Sequence, residues 1–257
     1  MLLAIDCGNT NIVFAVFDGD EIRGQWRASS KSQRTADEFG VWLNHLLSLE
    51  GLGRTEITAA VIASVVPAEV LALKTLCRRY FNCEAMVVGE PGVLLGLEIF
   101  LDQPREVGAD RLVNAVAARA FHQCPCIVVD FGTATTFDVV DGGGNYRGGA
   151  IAPGIHQSLE ALHLGAAQLP HIAIEQPERV IGTSTVTAMK SGIFWGYVGL
   201  IESLVTRIRK EFGAPLPVIA TGGLAVLFRG VTDVIDIQDP DLTMRGLLEI
   251  HRRNVPR

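Results

Sequence analysis

The feature that most constrains this chain is an internal repeat. Leu2-Leu3-Ala4-Ile5-Asp6-Cys7-Gly8-Asn9-Thr10-Asn11 is matched 124 residues later by Cys126-Ile127-Val128-Val129-Asp130-Phe131-Gly132-Thr133-Ala134-Thr135. At the same offset Gly19 meets Gly143, Ile22 meets Tyr146, Arg23 meets Arg147 and Gly24 meets Gly148. The period is too long for a solenoid repeat. Each copy opens as a strand, an Asp-x-Gly turn and a second strand, so the economical reading is two homologous lobes, residues 1–118 and 119–257. A cleft between two such lobes is a natural ligand site.

Between the repeats, Gly and Pro punctuate alternating strand-like and helix-like stretches, the pattern of an α/β protein. Leu2–Ile5, Ile12–Phe17 and Ile22–Arg27 read as strands, as do Ala59–Ser64, Ala85–Val88, Ile127–Val129, Thr136–Val140 and Pro217–Ala220. Thr35 is a candidate cap for a helix with Phe39, Trp42, Leu43 and Leu46 on one face. Pro67 opens a helix through Phe81, and further helices are expected over 106–122, 154–163, 183–212 and 242–252. Gly92–Phe100 is irregular or an edge strand.

Composition narrows the function classes. Of 257 residues 48% are hydrophobic and 19% charged, which supplies large cores and argues against disorder. The net charge of −6, with no Lys/Arg run, argues against a nucleic-acid groove or an anionic membrane surface. The start lacks a basic region before its apolar residues, and no apolar run approaches the roughly 20 residues of a membrane span. A soluble, cytoplasmic protein is expected. The five cysteines are odd in number and scattered; Cys124-Pro125-Cys126 lacks the spacing of a redox pair or zinc knuckle, so reduced structural thiols are expected.

A strand that ends in Asp and Gly can present backbone N–H groups to a phosphate, because Gly allows close approach. Asp6 and Asp130 would then face the phosphates through a cation. One such turn is ordinary turn chemistry; two at matching positions favour a phosphate clamp. The Gly-x-x-x-x-Gly-Lys-[Ser/Thr] and Gly-x-Gly-x-x-Gly signatures are absent. Thr221-Gly222-Gly223 follows a buried strand and suits either a nucleoside lying on the backbone or a plain helix-entry turn. Asp110, in a helix's first turn, suits either a dipole-stabilising carboxylate or a general base.

In their order, Asp6-Cys7-Gly8-Asn9-Thr10-Asn11, Gly108-Ala109-Asp110-Arg111, Asp130-Phe131-Gly132-Thr133-Ala134-Thr135 and Thr221-Gly222-Gly223 resemble the type III pantothenate kinases over essentially the whole chain. The resemblance implies two actin-like (ribonuclease H-like) lobes with the active site in the interlobe cleft, and ATP-dependent phosphorylation of pantothenate. It assigns phosphate contacts to Asp6, Cys7, Gly8, Asn9, Thr10, Asn11, Ile12 and Val13, and to Gly132 and Thr133, with Gly222 and Gly223 at the nucleoside. It assigns the pantothenate pocket to Gly108, Ala109, Asp110, Arg111 and Thr185, with Asp110 as general base. Asp130 would hold a monovalent cation (K⁺ or NH₄⁺), and Asp6 is the candidate for Mg²⁺. Leu101, beside Phe100, stands where the family often has an aromatic residue. The shared phosphate loops also leave open a related sugar or acetate-type kinase, or a regulatory accessory protein. A homodimer is expected from the family and from the 183–212 helix: Phe194, Tyr197, Ile201, Leu204 and Ile208 form one stripe, and Ile193, Trp195, Val198, Leu200 and Val205 extend the apolar character around it.

Overall fold

The computed structural model describes residues 1–32, 34–165 and 169–255. Contacts divide the chain into two units, Met1–His122 with Asp241–Arg257, and Gln123–Pro240. Each holds a five-stranded mixed sheet.

In the first unit β1 (Leu2–Cys7), β2 (Asn11–Asp18) and β3 (Glu21–Ser29) form an antiparallel meander, while β4 (Ala59–Ser64) and β5 (Ala85–Val87) add parallel to β1, in the order β3-β2-β1-β4-β5. β1 is apolar on both faces because both are covered. Leu3, Ile5 and Phe14 on one face pack with Phe39 and Leu43 of α1 (Ala36–Leu49) and Leu73 and Leu76 of α2 (Pro67–Phe81). Leu2, Ala4, Val61 and Ala63 on the other pack with Val113 and Val116 of α3 (Ala109–Phe121). Thr35 and Glu38 close a capping box on α1, and Pro67 starts α2, whose end is turned by Asn82 at φ 53°.

The second unit repeats the plan. β6 (Cys126–Phe131), β7 (Ala134–Val140) and β8 (Tyr146–Pro153) form the meander, and β9 (Val218–Thr221) and β10 (Ile237–Gln238) lie parallel to β6, in the order β10-β9-β6-β7-β8. Read from the opposite edge, this is the order of the first sheet. α4 (Ile155–Gly165) follows the meander, and α5 (Thr185–Phe212), capped by Ser184, covers Ile127, Val129 and Phe137 with Phe194, Tyr197, Ile201 and Val205. The expected second apolar face of α5 is not open: Ile193, Trp195, Leu200, Leu204 and Ile208 pack on this same core. The five cysteines are free thiols.

The last helix, α6 (Leu242–Asn254), departs from the expected 119–257 lobe and lies with the first unit. Its stripe of Met244, Leu247, Leu248 and Ile250 joins the core on α3. Gly246 permits the close approach, since a Cβ there would run into the Val113 carbonyl of α3.

Candidate active site

The candidate site residues of the first unit gather at the C-terminal ends of the parallel strands β1 and β4, where open α/β sheets place ligands. Between Cys7 and its ladder partner Ile12 lies the loop Gly8–Asn11, closed by Gly8 N–H donating to the Asn11 carbonyl (3.0 Å). Ser30, just past β3, braces the loop from below. Its N–H donates to the Thr10 carbonyl (3.0 Å), and its Oγ–H donates to the Gly8 carbonyl (2.6 Å). Asn9 at the tip is exposed, while Cys7 and Ile12 are sealed in the core. Burial pushes the Cys7 thiol up to about 11, so it is no nucleophile. Only the main chain at Cys7 and Ile12 can meet a ligand.

Val65 ties this loop to the start of α3. Its N–H donates to the Cys7 carbonyl (3.0 Å), and a Cβ on Gly108 would stand 3.3 Å from Val65 Cγ1. Gly108 caps α3 without a side chain, so the Asp110 carboxylate turns back and accepts from the Arg111 N–H (2.8 Å). Burial raises the Asp110 carboxyl above the ordinary carboxylate range, overcoming the Arg111 amide hydrogen bond and the Arg111 charge, which act to lower it. A half-buried carboxylate made more basic by desolvation is what a general base needs.

The second unit builds the counterpart with one residue fewer. Phe131 pairs with Thr135, Gly132 N–H donates to the Ala134 carbonyl (3.1 Å), and Thr133 is left at the tip. Gly154 N–H braces it through the Thr133 carbonyl (3.1 Å), as Ser30 does for Thr10. The missing loop residue is returned in the next turn, where Asp141–Asn145 replaces a shorter link between β2 and β3. The repeat offset therefore falls by one across β7 instead of holding throughout.

Asp130, one residue before the end of β6, lies beside Thr221 on β9 and opposite Thr136 on β7. Gly222, at φ +88°, lets the chain turn across the Asp130 carboxylate: a Cβ there would lie 2.5 Å from Asp130 Oδ1 and 2.7 Å from Phe131 N. A Cβ on Gly223 would meet nothing within 4 Å. Thr221 Oγ1 is buried without a hydrogen-bond partner, an orphan that asks for one. A hydroxyl oxygen and a carboxylate side by side fit a cation that takes oxygen ligands. Among the described residues no three His, Cys, Asp or Glu side chains converge on a metal site. A single carboxylate such as Asp6 is compatible with Mg²⁺, which uses one or two carboxylates plus phosphate oxygens. Thr185 is the first, exposed residue of α5.

Ser30 and Gly154 have no role in the sequence reading, and Thr221 enters it only within Thr221-Gly222-Gly223, with no role of its own. The repeat holds the signal for the first two, since residue 30 and residue 154 are also 124 apart. Nothing in the sequence marks Thr221 beyond its place before two glycines.

The family description of type III pantothenate kinase matches residues 2–207. A type III pantothenate kinase of Paramagnetospirillum magneticum is 70% identical over 254 residues, covering 99% of this chain and 98% of the relative. That of Rhodospirillum rubrum is 66% identical over 256 residues, covering 100% of each. Among solved structures, the ethanolamine utilization protein EutJ of Carboxydothermus hydrogenoformans superposes with a TM-score of 0.56 at 19% identity, covering 96% of this chain and 89% of that one. The inorganic polyphosphate/ATP-glucomannokinase of an Arthrobacter strain gives 0.51 at 13% identity over 98% and 97%. Those two share the fold. The full-length identity goes further, and the chain belongs to the type III pantothenate kinase family.

Proposed function

We propose that the chain transfers the terminal phosphoryl group of ATP to the primary hydroxyl of pantothenate, giving 4'-phosphopantothenate, the first step of coenzyme A synthesis. The observation that carries the reading is the half-buried, basicity-raised Asp110 within Gly108–Arg111 of a full-length family member. Asp110 takes the hydroxyl proton as the oxygen attacks phosphorus. Arg111 and Thr185 hold the acceptor, Arg111 toward its carboxylate. Gly8–Asn11 and Gly132–Thr133 each offer main-chain donors to phosphate oxygens, and Gly222–Gly223 offers a flat backbone surface to the nucleoside. Asp6 would hold Mg²⁺, and Asp130 with Thr221 would hold K⁺ or NH₄⁺. When bound, these cations supply positive charge against the phosphate oxygens.

The setting proposed is cytoplasmic; among the described residues no helix is long and apolar enough to cross a membrane. A homodimer is also proposed. The second unit leaves Ile151, Leu164, Val180 and Ile181 exposed, and α5 bears an outward edge of Gly192, Gly196 and Gly199. A second copy can cover that apolar surface, and light scattering should return twice the chain mass; the mass of one chain refutes it.

The test is ADP release with pantothenate against a panel of sugars, in K⁺, NH₄⁺ or Na⁺. Turnover is expected with pantothenate alone, in K⁺ or NH₄⁺. Turnover on a sugar with none on pantothenate overturns the assignment, and equal rates in all three salts remove the cation role of Asp130.

A further inference from the structure

The connection that delivers Gly108–Asp110 to the site is held by side chains. Between β5 and the short turn at Pro104–Glu106, the described residues form no helix and no strand, only an isolated bridge at Ile99. Its burial alternates nonetheless: Val93, Leu95 and Leu97 pack onto the core, while Leu94, Gly96, Glu98 and Phe100 are exposed. What fixes its register is the last turn of α6. Asn254 reads both main-chain groups of Leu94, its Oδ1 accepting from the Leu94 N–H (2.7 Å) and its Nδ2 donating to the Leu94 carbonyl (2.8 Å). The neighbouring Arg253 donates from Nη1 to the Leu95 carbonyl (2.5 Å) and is oriented by Glu249 through Nε (2.8 Å). Arg119, on α3, donates to the Gly96 carbonyl. Gly96 sits at φ +72°, and a Cβ there would strike the Arg253 guanidinium. Three consecutive carbonyls are thus gripped from two helices, one of which carries Asp110 at its other end.

We propose that Asn254, Arg253 and Arg119 are positioning residues for the acceptor substrate, setting where Phe100, Leu101 and the approach to Asp110 stand. This rests on the pantothenate kinase reading. The geometry separates it from general stabilisation, because the same turn carries a built-in comparison. Arg252 leaves α6 in another direction, pairing with Asp20 (2.6 Å) and the Gly19 carbonyl (3.1 Å) on the β2–β3 turn. Losing Arg252 loosens the helix end without touching the connection.

Asn254→Ala and Arg253→Met should each raise KM for pantothenate about ten-fold, the order of one to two lost hydrogen bonds, with KM for ATP within about two-fold. Arg253→Lys, which keeps one donor, should recover part of the loss, and Arg252→Ala should leave KM for pantothenate unchanged. Hydrogen exchange gives a readout independent of activity: the Leu94 amide should exchange faster in Asn254→Ala and not in Arg252→Ala. The proposal is overturned if KM for pantothenate holds in both Asn254→Ala and Arg253→Met, if Arg252→Ala raises it equally, or if both substrates' KM values move together. A wild-type protein inactive on pantothenate refutes the kinase reading instead, while Leu94 exchange still reports on the clamp.

Discussion

Gly222→Ala is the substitution for which the geometry gives the clearest magnitude. A residue at φ +88° with a Cβ lies in the left-handed region, at a cost of about 1–2 kcal/mol. The added carbon would also stand 2.5 Å from Asp130 Oδ1, 2.7 Å from Phe131 N and 2.8 Å from Phe131 C. Overpacking of that kind costs about 1–3 kcal/mol, because two of the three atoms are backbone and cannot swing aside. Together these give about 2–5 kcal/mol, or a fall in Tm of about 4–20 °C for a chain of this size. The one neighbour able to yield is the Asp130 carboxylate, so whatever strain is relieved is relieved at its expense. A displacement of order 1 Å there is worth about 10²-fold in rate. Gly223→Ala is the control: its Cβ would meet nothing within 4 Å, and stability should stay within about 0.5 kcal/mol. Thermal melts and steady-state kinetics on the two variants decide the matter. If Gly222→Ala melts and turns over like Gly223→Ala, the glycine is not there to make room for Asp130.

Asp110→Asn should lower kcat by about 10²–10⁴-fold while its Tm at neutral pH equals or exceeds wild type. The sign follows from burial: a carboxyl raised in the folded state stabilises below its unfolded pKa and loses that contribution as pH rises through the folded value. The stability gap should therefore close in acid, and a wild type more stable than the variant at neutral pH would refute it. Ser30→Ala removes the Oγ–H bond to the Gly8 carbonyl, at about 1 kcal/mol; KM for ATP should rise several-fold with KM for pantothenate unmoved, and the reverse pattern would sink the brace.

Much of this architecture is legible in the sequence, for physical reasons. β1 and β6 are sandwiched on both faces, so they are written as unbroken apolar runs ending at Asp6 and Asp130. The α1 capping box is local chemistry that Thr35 and Glu38 declare by their spacing. The placement of α6 is not local. Its stripe is visible, but only tertiary packing reveals that the stripe meets α3, encoded about 130 residues earlier. β10 has two residues and no pattern to read. The shortened second loop is hidden because the β7–β8 turn restores the offset. In α5, apolar character around the helix points to a second face in need of a partner, yet the side chains on its flanks reach the same core.

The two repeats share a backbone plan and differ in what flanks the aspartate, and that difference is chemical. Asp6 has Val13 and Ala63 as its ladder neighbours; Asp130 has Thr136 and Thr221. A cation at Asp6 must bring its own oxygens, as Mg²⁺ does when it retains waters and takes phosphate. At Asp130 the protein supplies hydroxyl oxygen, which suits a larger monovalent ion whose hydration shell protein oxygens replace. Thr221 is the sharper test of this division, because its Oγ1 is buried and without a partner. Thr221→Val keeps the shape and removes an unsatisfied polar group, so Tm should hold or rise. The K⁺ concentration for half-maximal activity should increase while the Mg²⁺ requirement stays put. An unchanged K⁺ response with normal folding would mean that the orphan hydroxyl has no cation to serve, and that the asymmetry of the repeats lies elsewhere.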